Sequence, residues 1–289
     1  MTVRPLFSRL ITMPYIKSCT VARNDGVSVT LINWRAVHSG VAMPTIRAVT
    51  FDLWDTLIQE APRGADRVAA IRIDDIGRIL ESVGYHHSRA GLERAYLMTG
   101  DHLEAIWRRY EDVSAREQVE FLLECLDAGL PDELTSAVLD DIEVAYSNSM
   151  LRHRPRLLPG AAETISAIRD TGVVMGLISN TGKTPGSVLR MMLEQMDILE
   201  CFRVSTFSNE VRERKPARRM FEVTLAELGV DARDSVHIGD NPVADIEGAK
   251  AVGMRAILVG QDIEPCGQRA DACVPDIAGV PRALDSLRA

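Results

Sequence analysis

Asp52, Trp54, Asp55, Ser179, Asn180, Lys215, Asp240 and Asp245 share a position: each falls at or shortly after the end of an apolar run. Asp52-Leu53-Trp54-Asp55-Thr56 follows the run 46–51, and Ser179-Asn180-Thr181-Gly182 closes the run 173–179. Glu210 and Arg214-Lys215-Pro216 come after 202–207, and Gly239-Asp240-Asn241, with Asp245 beyond, comes after 235–238. Acid, hydroxyl, lysine and paired acids at four successive ends form a chemical set. A carboxylate can attack phosphorus and form an acyl phosphate, which divides one difficult hydrolysis into two easier steps. Carboxylates facing a phosphate dianion repel it, and Mg²⁺ removes the conflict by binding carboxylate, carbonyl and phosphate oxygens together. A lysine and a hydroxyl then hold the remaining phosphoryl oxygens as charge spreads in the transition state.

Those residues need elements that bring their ends together. The apolar runs 46–51, 173–179, 202–207, 235–238 and 255–259, with a weaker one at 272–274, are rich in β-branched residues. Amphipathic stretches at 160–171, 185–197, 217–228, 243–252 and 279–288 separate the later ones. Strand alternating with helix predicts an α/β fold, a Rossmann-like parallel sheet with helices on both faces. In such a sheet ligands bind outside the carboxyl ends of the strands, where the polar set stands. Residues 62–150 break the rhythm. Their apolar residues fall at helical spacing (Ile76, Ile79, Leu80, Val83; Val119, Leu122, Leu123, Leu126), with turn signals at Gly84, Gly100, Gly129 and Pro131. This predicts an all-helical insert at 62–150 within a core made of 43–61 and 151–289.

FDLWDTL at 51–57, LISNTG at 177–182, RKP at 214–216 and IGDNPVADIEGAKAVGM at 238–254 resemble, in order and spacing, the four motifs of the haloacid dehalogenase-like hydrolase superfamily. The resemblance covers residues 46–260, and its fourth motif is the most specific. The insert lies where the helical-cap (C1-type) branch of that superfamily carries its cap. The resemblance implies Asp52 as nucleophile and metal ligand, Ser179 as the phosphoryl-binding hydroxyl and Lys215 as the neutralising cation, with Asn180 beside them in substrate binding. It also implies Mg²⁺ held by Asp52, the Trp54 backbone carbonyl, Asp240 and Asp245.

Phosphatases of that superfamily carry a second aspartate two residues after the nucleophile, as acid to the leaving alkoxide and base to water. This chain has Trp54 there, and an indole cannot exchange a proton in that role. Losing a general acid costs about 10²–10⁴-fold, mostly on poor leaving groups. Adjacent residues at a strand end point in different directions, so Asp55 is no simple substitute. The expected function is a Mg²⁺-dependent phosphatase acting on a small phosphorylated metabolite through an aspartyl-phosphate. Two alternatives stand beside it: a metal-independent 2-haloacid dehalogenase-like hydrolase, and a weakly catalytic protein that binds a phosphometabolite. Trp54 favours both, and the intact acidic fourth motif speaks against the first.

Composition agrees with a catalyst of small molecules. The chain has 289 residues, 33 Lys plus Arg against 41 Asp plus Glu, and a formal charge of −8. That acidity argues against a nucleic-acid partner, and no apolar run is long enough to span a membrane. Five scattered cysteines without a C-x-x-C pair predict neither a disulfide framework nor a zinc site, so the cytoplasm is the expected compartment. The sequence carries no sign of oligomeric state. Residues 1–42 hold five basic residues and one acid, Asp25, with no sustained period. They are expected to be a disordered or mis-started extension ahead of Met43, or else a transit segment. In the insert, Trp107 and Tyr110 are expected to pack with Leu103 and Ile106, while Arg152, His153 and Arg154 fall by position nearer the substrate side. His86 and His87 lack metal-ligand spacing, and Glu210 has no assigned task.

Overall fold

Residues 48–51 carry no polar face because the strand they form, Ala48–Phe51 (β1), is buried on both sides in the middle of a sheet. The computed structural model describes residues 19–22, 28–31, 45–260 and 269–288. The chain divides into two units, 1–43 and 44–289. In the first, strands Cys19–Ala22 and Ser28–Leu31 pair antiparallel, and the rest of the expected extension lies outside the described residues.

The second unit is built on six strands: β1, Val174–Ser179 (β2), Val204–Phe207 (β3), Ser235–Gly239 (β4), Arg255–Val259 (β5) and Ala272–Val274 (β6). Their order across the sheet is 6-5-4-1-2-3 and every neighbouring pair is parallel. Parallel neighbours need crossovers, and helices supply them: Ala161–Arg169, Gly186–Gln195, Arg218–Leu228 and Gly248–Val252 stand between strands, with Val280–Arg288 after the last, close to where the periodicity puts them. Two apolar layers flank the sheet. One contains Val49, Phe51, Leu177 and Ile238 packed with Ile165, Leu189 and Val280. The other contains Ile178 and Leu258 packed with Phe221, Ile246 and Ala249.

Register sets the ends level. Phe51 lies between Leu177 and Ile238, and Ser179 lies beside Phe207, so the residues after β1, β2, β3 and β4 emerge on one edge. The strand order reverses direction at β1 and β4, the place where open α/β sheets bind ligands.

Between β1 and the helix Ala161–Arg169 the chain runs through five α-helices: Gly64–Ser82 (α1), Arg89–Trp107 (α2), Ala115–Leu126 (α3), Leu130–Glu133 (α4) and Ser136–Asn148 (α5). They bury a separate core of Ile76, Leu80, Leu92, Val119, Leu122, Leu123, Ile142 and Tyr146. Ser88, Ser114 and Thr135 cap three of them, each accepting a backbone N–H, and Ser114 with Glu117 completes a capping box. Gly84 and Gly129 have positive φ, as turn residues do. Gly100 does not turn the chain; it sits inside α2, for a reason given below. A two-residue ladder, Ile58–Gln59 against Arg156–Leu157, ties the outgoing and returning strands of the insert together. The sequence shows no pattern for so short a pair. Cys125 and Cys201 are free thiols, whereas Cys273 is disulfide-bonded, contrary to the expectation of wholly reduced cysteines.

Candidate active site

Lys215 organises the cluster at the strand ends. Its ammonium donates to Asp52 Oδ1 at 2.5 Å, to Asp245 Oδ1 at 2.6 Å and to the Ile178 carbonyl at 2.7 Å, and the side chain is buried. Both atoms of the Asn180 amide hold the lysine's backbone: Nδ2 donates to the Lys215 carbonyl and Oδ1 accepts from the Lys215 N–H, at 3.1 and 2.7 Å. Asn180 therefore braces the backbone of the lysine. Ser179 is buried at the end of β2 and its hydroxyl donates to the Asn180 carbonyl at 3.3 Å, a long bond a better acceptor could replace.

Asp245 reaches the cluster because the helix that follows β4 starts wide. Asn241 Oδ1 accepts from the Val243 and Ala244 N–H groups, and the first turn, Pro242–Glu247, is π-helical. The Asp245 carboxylate folds back to accept from the Asn241 N–H at 3.0 Å and meets His237 Nε2 at 3.1 Å. His237 Nδ1 in turn lies 2.8 Å from the Thr50 hydroxyl. Gly239 permits this fold: a Cβ there would overlap the Asp245 carboxyl group. Asp240 is half-buried beside them and accepts a long bond from the Thr56 hydroxyl, at 3.5 Å.

Burial pushes the Asp52 carboxyl up to about 7, and Asp245 and Asp240 push the same way against the opposing pull of Lys215. Burial, Asp245 and Asp55 raise Asp240 to about 6. Burial opposes ionisation of Asp245 too, but Lys215 and His237 outweigh it and hold its pKa below the usual range. For Lys215 burial is likewise outweighed, by Asp245 and Asp52, and its pKa rises. Burial lowers His237 and favours the neutral ring.

Asp52, Asp240 and Asp245 each offer an oxygen within 4.8 Å of the others. With all three ionised, as a bound cation would favour, three carboxylates against one ammonium leave two negative charges to balance. Hard oxygen donors with that deficit fit a magnesium ion, so the residues present suit the metal the motifs imply.

A cavity of about 340 Å³ opens between the strand ends and the insert. Trp54, Glu60, Asn180 and Thr181 line the sheet side, and Arg72, Tyr96 and Trp107 line the insert side. Asp55 has a positive φ and, with Asp240, lines a different hollow, so it does not stand in the place where the motif lacks an acid. Trp107 faces this cavity instead of only packing, and Tyr110 is exposed, whereas Leu103 and Ile106 are buried as their spacing predicts. Arg152 pairs with Asp75 and Arg154 with Gln195, and neither lines the cavity; Glu210 pairs with Arg190.

Periodicity does not disclose Asp112. It is buried, accepts from Trp107 Nε1 at 3.1 Å, from Ser208 Oγ at 2.5 Å, from Thr181 Oγ1 at 3.2 Å and from Arg214 at 2.8 Å. Arg214 also lies 4.5 Å over the Trp107 ring and accompanies the backbone of the lysine loop, whose Arg214 N–H donates to the Tyr110 carbonyl. Asp112→Ala would leave the Arg214 guanidinium buried without its carboxylate. A loss of about 3–5 kcal/mol is expected, read from urea unfolding, and a loss below about 1 kcal/mol would show the cluster to be unimportant to stability.

The model of the haloacid dehalogenase-like hydrolases matches residues 46–253, most of the chain and the whole of the cluster just described. The chain belongs to that hydrolase family. A phosphoserine phosphatase of Thermus thermophilus is 28% identical over 243 residues, covering 76% of this chain and 91% of that one. A phosphoglycolate phosphatase of Salmonella paratyphi A is 26% identical over 221 residues, 74% of this chain and 81% of its own. Among solved structures, a 2-haloacid dehalogenase from Pseudomonas syringae pv. Tomato matches at a TM-score of 0.63 and 22% identity, over 84% of this chain and 99% of that one. A HAD phosphatase from Thermococcus onnurineus matches at 0.55 and 21%, over 84% and 100%. The two structures agree in fold, and by their titles their chemistries differ. No helix among the described residues is long and apolar enough to cross a membrane.

Proposed function

We propose that this hydrolase is a magnesium-dependent phosphatase of small phosphate monoesters, working through an aspartyl-phosphate on Asp52. The observation that carries the reading is the cluster of Asp52, Asp240 and Asp245 around one lysine, with two negative charges left over. The related phosphoserine and phosphoglycolate phosphatases support it. Asp52, the Trp54 carbonyl, Asp240 and Asp245 are the residues that would hold Mg²⁺, which supplies charge neutralisation between carboxylate and phosphate.

In the first step an Asp52 oxygen bonds to phosphorus as the ester oxygen departs with the bonding pair. Lys215 and the Ser179 hydroxyl donate to the phosphoryl oxygens, and Asn180 keeps the lysine in place. Water then attacks phosphorus, the bond from phosphorus to Asp52 breaks to restore the carboxylate, and the proton the water sheds to solvent balances the one the departed alkoxide takes up. Helices α1–α5 serve as the cap, with Trp107 and Tyr96 over the cavity excluding bulk water. The substrate is a small soluble phosphate compound.

Phosphate release from aryl, acyl, sugar and alkyl phosphates, with Mg²⁺ or with EDTA, tests the reading. Release that needs the metal and declines steeply from aryl to alkyl esters is the expected result. A second reading, metal-free hydrolysis of 2-haloacids, is favoured by one observation, the indole of Trp54 on the cavity wall in place of a proton donor. Halide release that persists in EDTA, without phosphate release, would replace the first reading with it.

A further inference from the structure

The cavity beside the cluster is lined by more cations than acids. Arg72, Lys183 and Arg214 line it, against one carboxylate, Glu60. Arg214 is paired with Asp112. Arg72 is only 4% exposed, and its guanidinium is held by the Tyr146 carbonyl at 2.7 Å, the Thr184 hydroxyl at 2.8 Å and the Tyr96 hydroxyl at 3.2 Å, all neutral groups. Lys183 is half-buried with its ammonium 4.7 Å from the centre of the same Tyr96 ring. Among the described residues neither cation has a carboxylate within ion-pair distance. Burial, together with Arg72 nearby, pulls the lysine below its ordinary pKa against the weaker opposing pull of Glu104 and Asp101.

Gly100 adds an independent observation. A glycine in the interior of α2 costs about 1 kcal/mol relative to alanine. A Cβ at this position would stand 3.3 Å from the Lys183 ammonium. An alanine methyl there would press the lysine's ammonium aside by a few tenths of an ångström. Two cations without carboxylate partners, one rigidly held and one with room made for it, form a receptor for an anion.

We propose that Lys183, backed by Arg72, binds a carboxylate on the leaving-group side of the substrate, so that the preferred substrates are small phosphorylated carboxylic acids. The inference rests on the phosphatase reading for its chemistry, but its geometry can be tested without turnover. Lys183 is a specificity residue in this arrangement and takes no part in phosphoryl transfer.

The test is calorimetric binding, in the presence of Mg²⁺, of phosphonoacetate and 3-phosphonopropionate against ethylphosphonate and propylphosphonate, which lack the carboxylate. At least one carboxylate probe is expected to bind wild type about 10–100-fold tighter than its alkyl counterpart, the worth of one charge-assisted hydrogen bond. Lys183→Met is expected to abolish that preference without altering alkylphosphonate affinity, and Lys183→Arg to keep most of it. No preference in wild type, or equal weakening of both probe classes by Lys183→Met, overturns the proposal. If the preference holds and depends on Lys183 while no phosphate ester is hydrolysed, the anion subsite stands and the phosphatase reading fails.

Discussion

Asp52→Asn is expected to lower phosphate release by about 10⁴–10⁶-fold, the scale on which loss of a nucleophile acts, while the protein stays folded. The amide is nearly isosteric and can still accept from Lys215, so the loss reports chemistry and not collapse of the site. The same variant carries a second, opposite expectation. Burial has pushed Asp52 up to about 7 from an ordinary value of 3.8, so the folded protein holds a proton there that the unfolded chain has lost. For an acid raised on folding, stability falls as pH rises from about 4 to about 7, and the penalty is complete above that range. The asparagine side chain cannot ionise and escapes it. Without metal, the variant should melt above wild type at about pH 8, with the difference shrinking to nothing near pH 4. Added Mg²⁺ should reverse the order, because wild type offers it one more carboxylate. A metal-free variant that melts below wild type at about pH 8 would mean that the lysine bond outweighs burial and repulsion.

Trp54→Asp is expected to raise kcat/KM for alkyl phosphates by about 10²–10⁴-fold and to change aryl phosphates little. An indole only donates, and its N–H does not titrate near neutrality, so the wild-type site gives a departing alkoxide no proton from this position. Asp55, next in sequence, has turned into the other hollow with Asp240. Among the described residues, Glu60 is the one carboxylate that shares the cavity wall with Trp54. If wild type already hydrolyses alkyl and aryl esters at similar rates, and Trp54→Asp gains nothing, Glu60 supplies the proton, and Glu60→Gln should then restore the dependence on leaving group.

Much of this arrangement is legible in the chain because buried parallel strands write themselves as uninterrupted apolar runs. All six sheet strands lie where those runs stand, and their polar ends converge because the register leaves no other choice. The long helices between β1 and β2 are equally legible from their 3.6-residue period. What the sequence hides is tertiary. That the Asn180 amide holds the Lys215 backbone, 35 residues away, leaves no mark in the sequence. His237 looks like one residue of a strand, and nothing local tells that it meets Asp245. Arg72 does leave a trace: it stands in the apolar row of Val68, Ile76 and Leu80 on α1, where a charge has no business unless something answers it. Gly100 leaves a false trace, reading as a turn because room for a distant lysine is invisible along the chain.

The contact between residues 110–112 and 212–214 bears on how such a hydrolase can change its substrate. The Asp112 N–H donates to the Arg212 carbonyl and the Arg214 N–H donates to the Tyr110 carbonyl, which sets Glu111 opposite Glu213 in an antiparallel backbone bridge. One partner belongs to the helical insert and the other is the peptide leading into Lys215. The insert is thus no exchangeable cassette. A chimaera that receives a relative's helices must also receive that relative's version of the loop ahead of the lysine, or the Lys215 ammonium loses part of its scaffold. New specificity in this architecture comes more readily by single changes on the cavity wall, at positions such as 54 and 183, than by transplanting the roof.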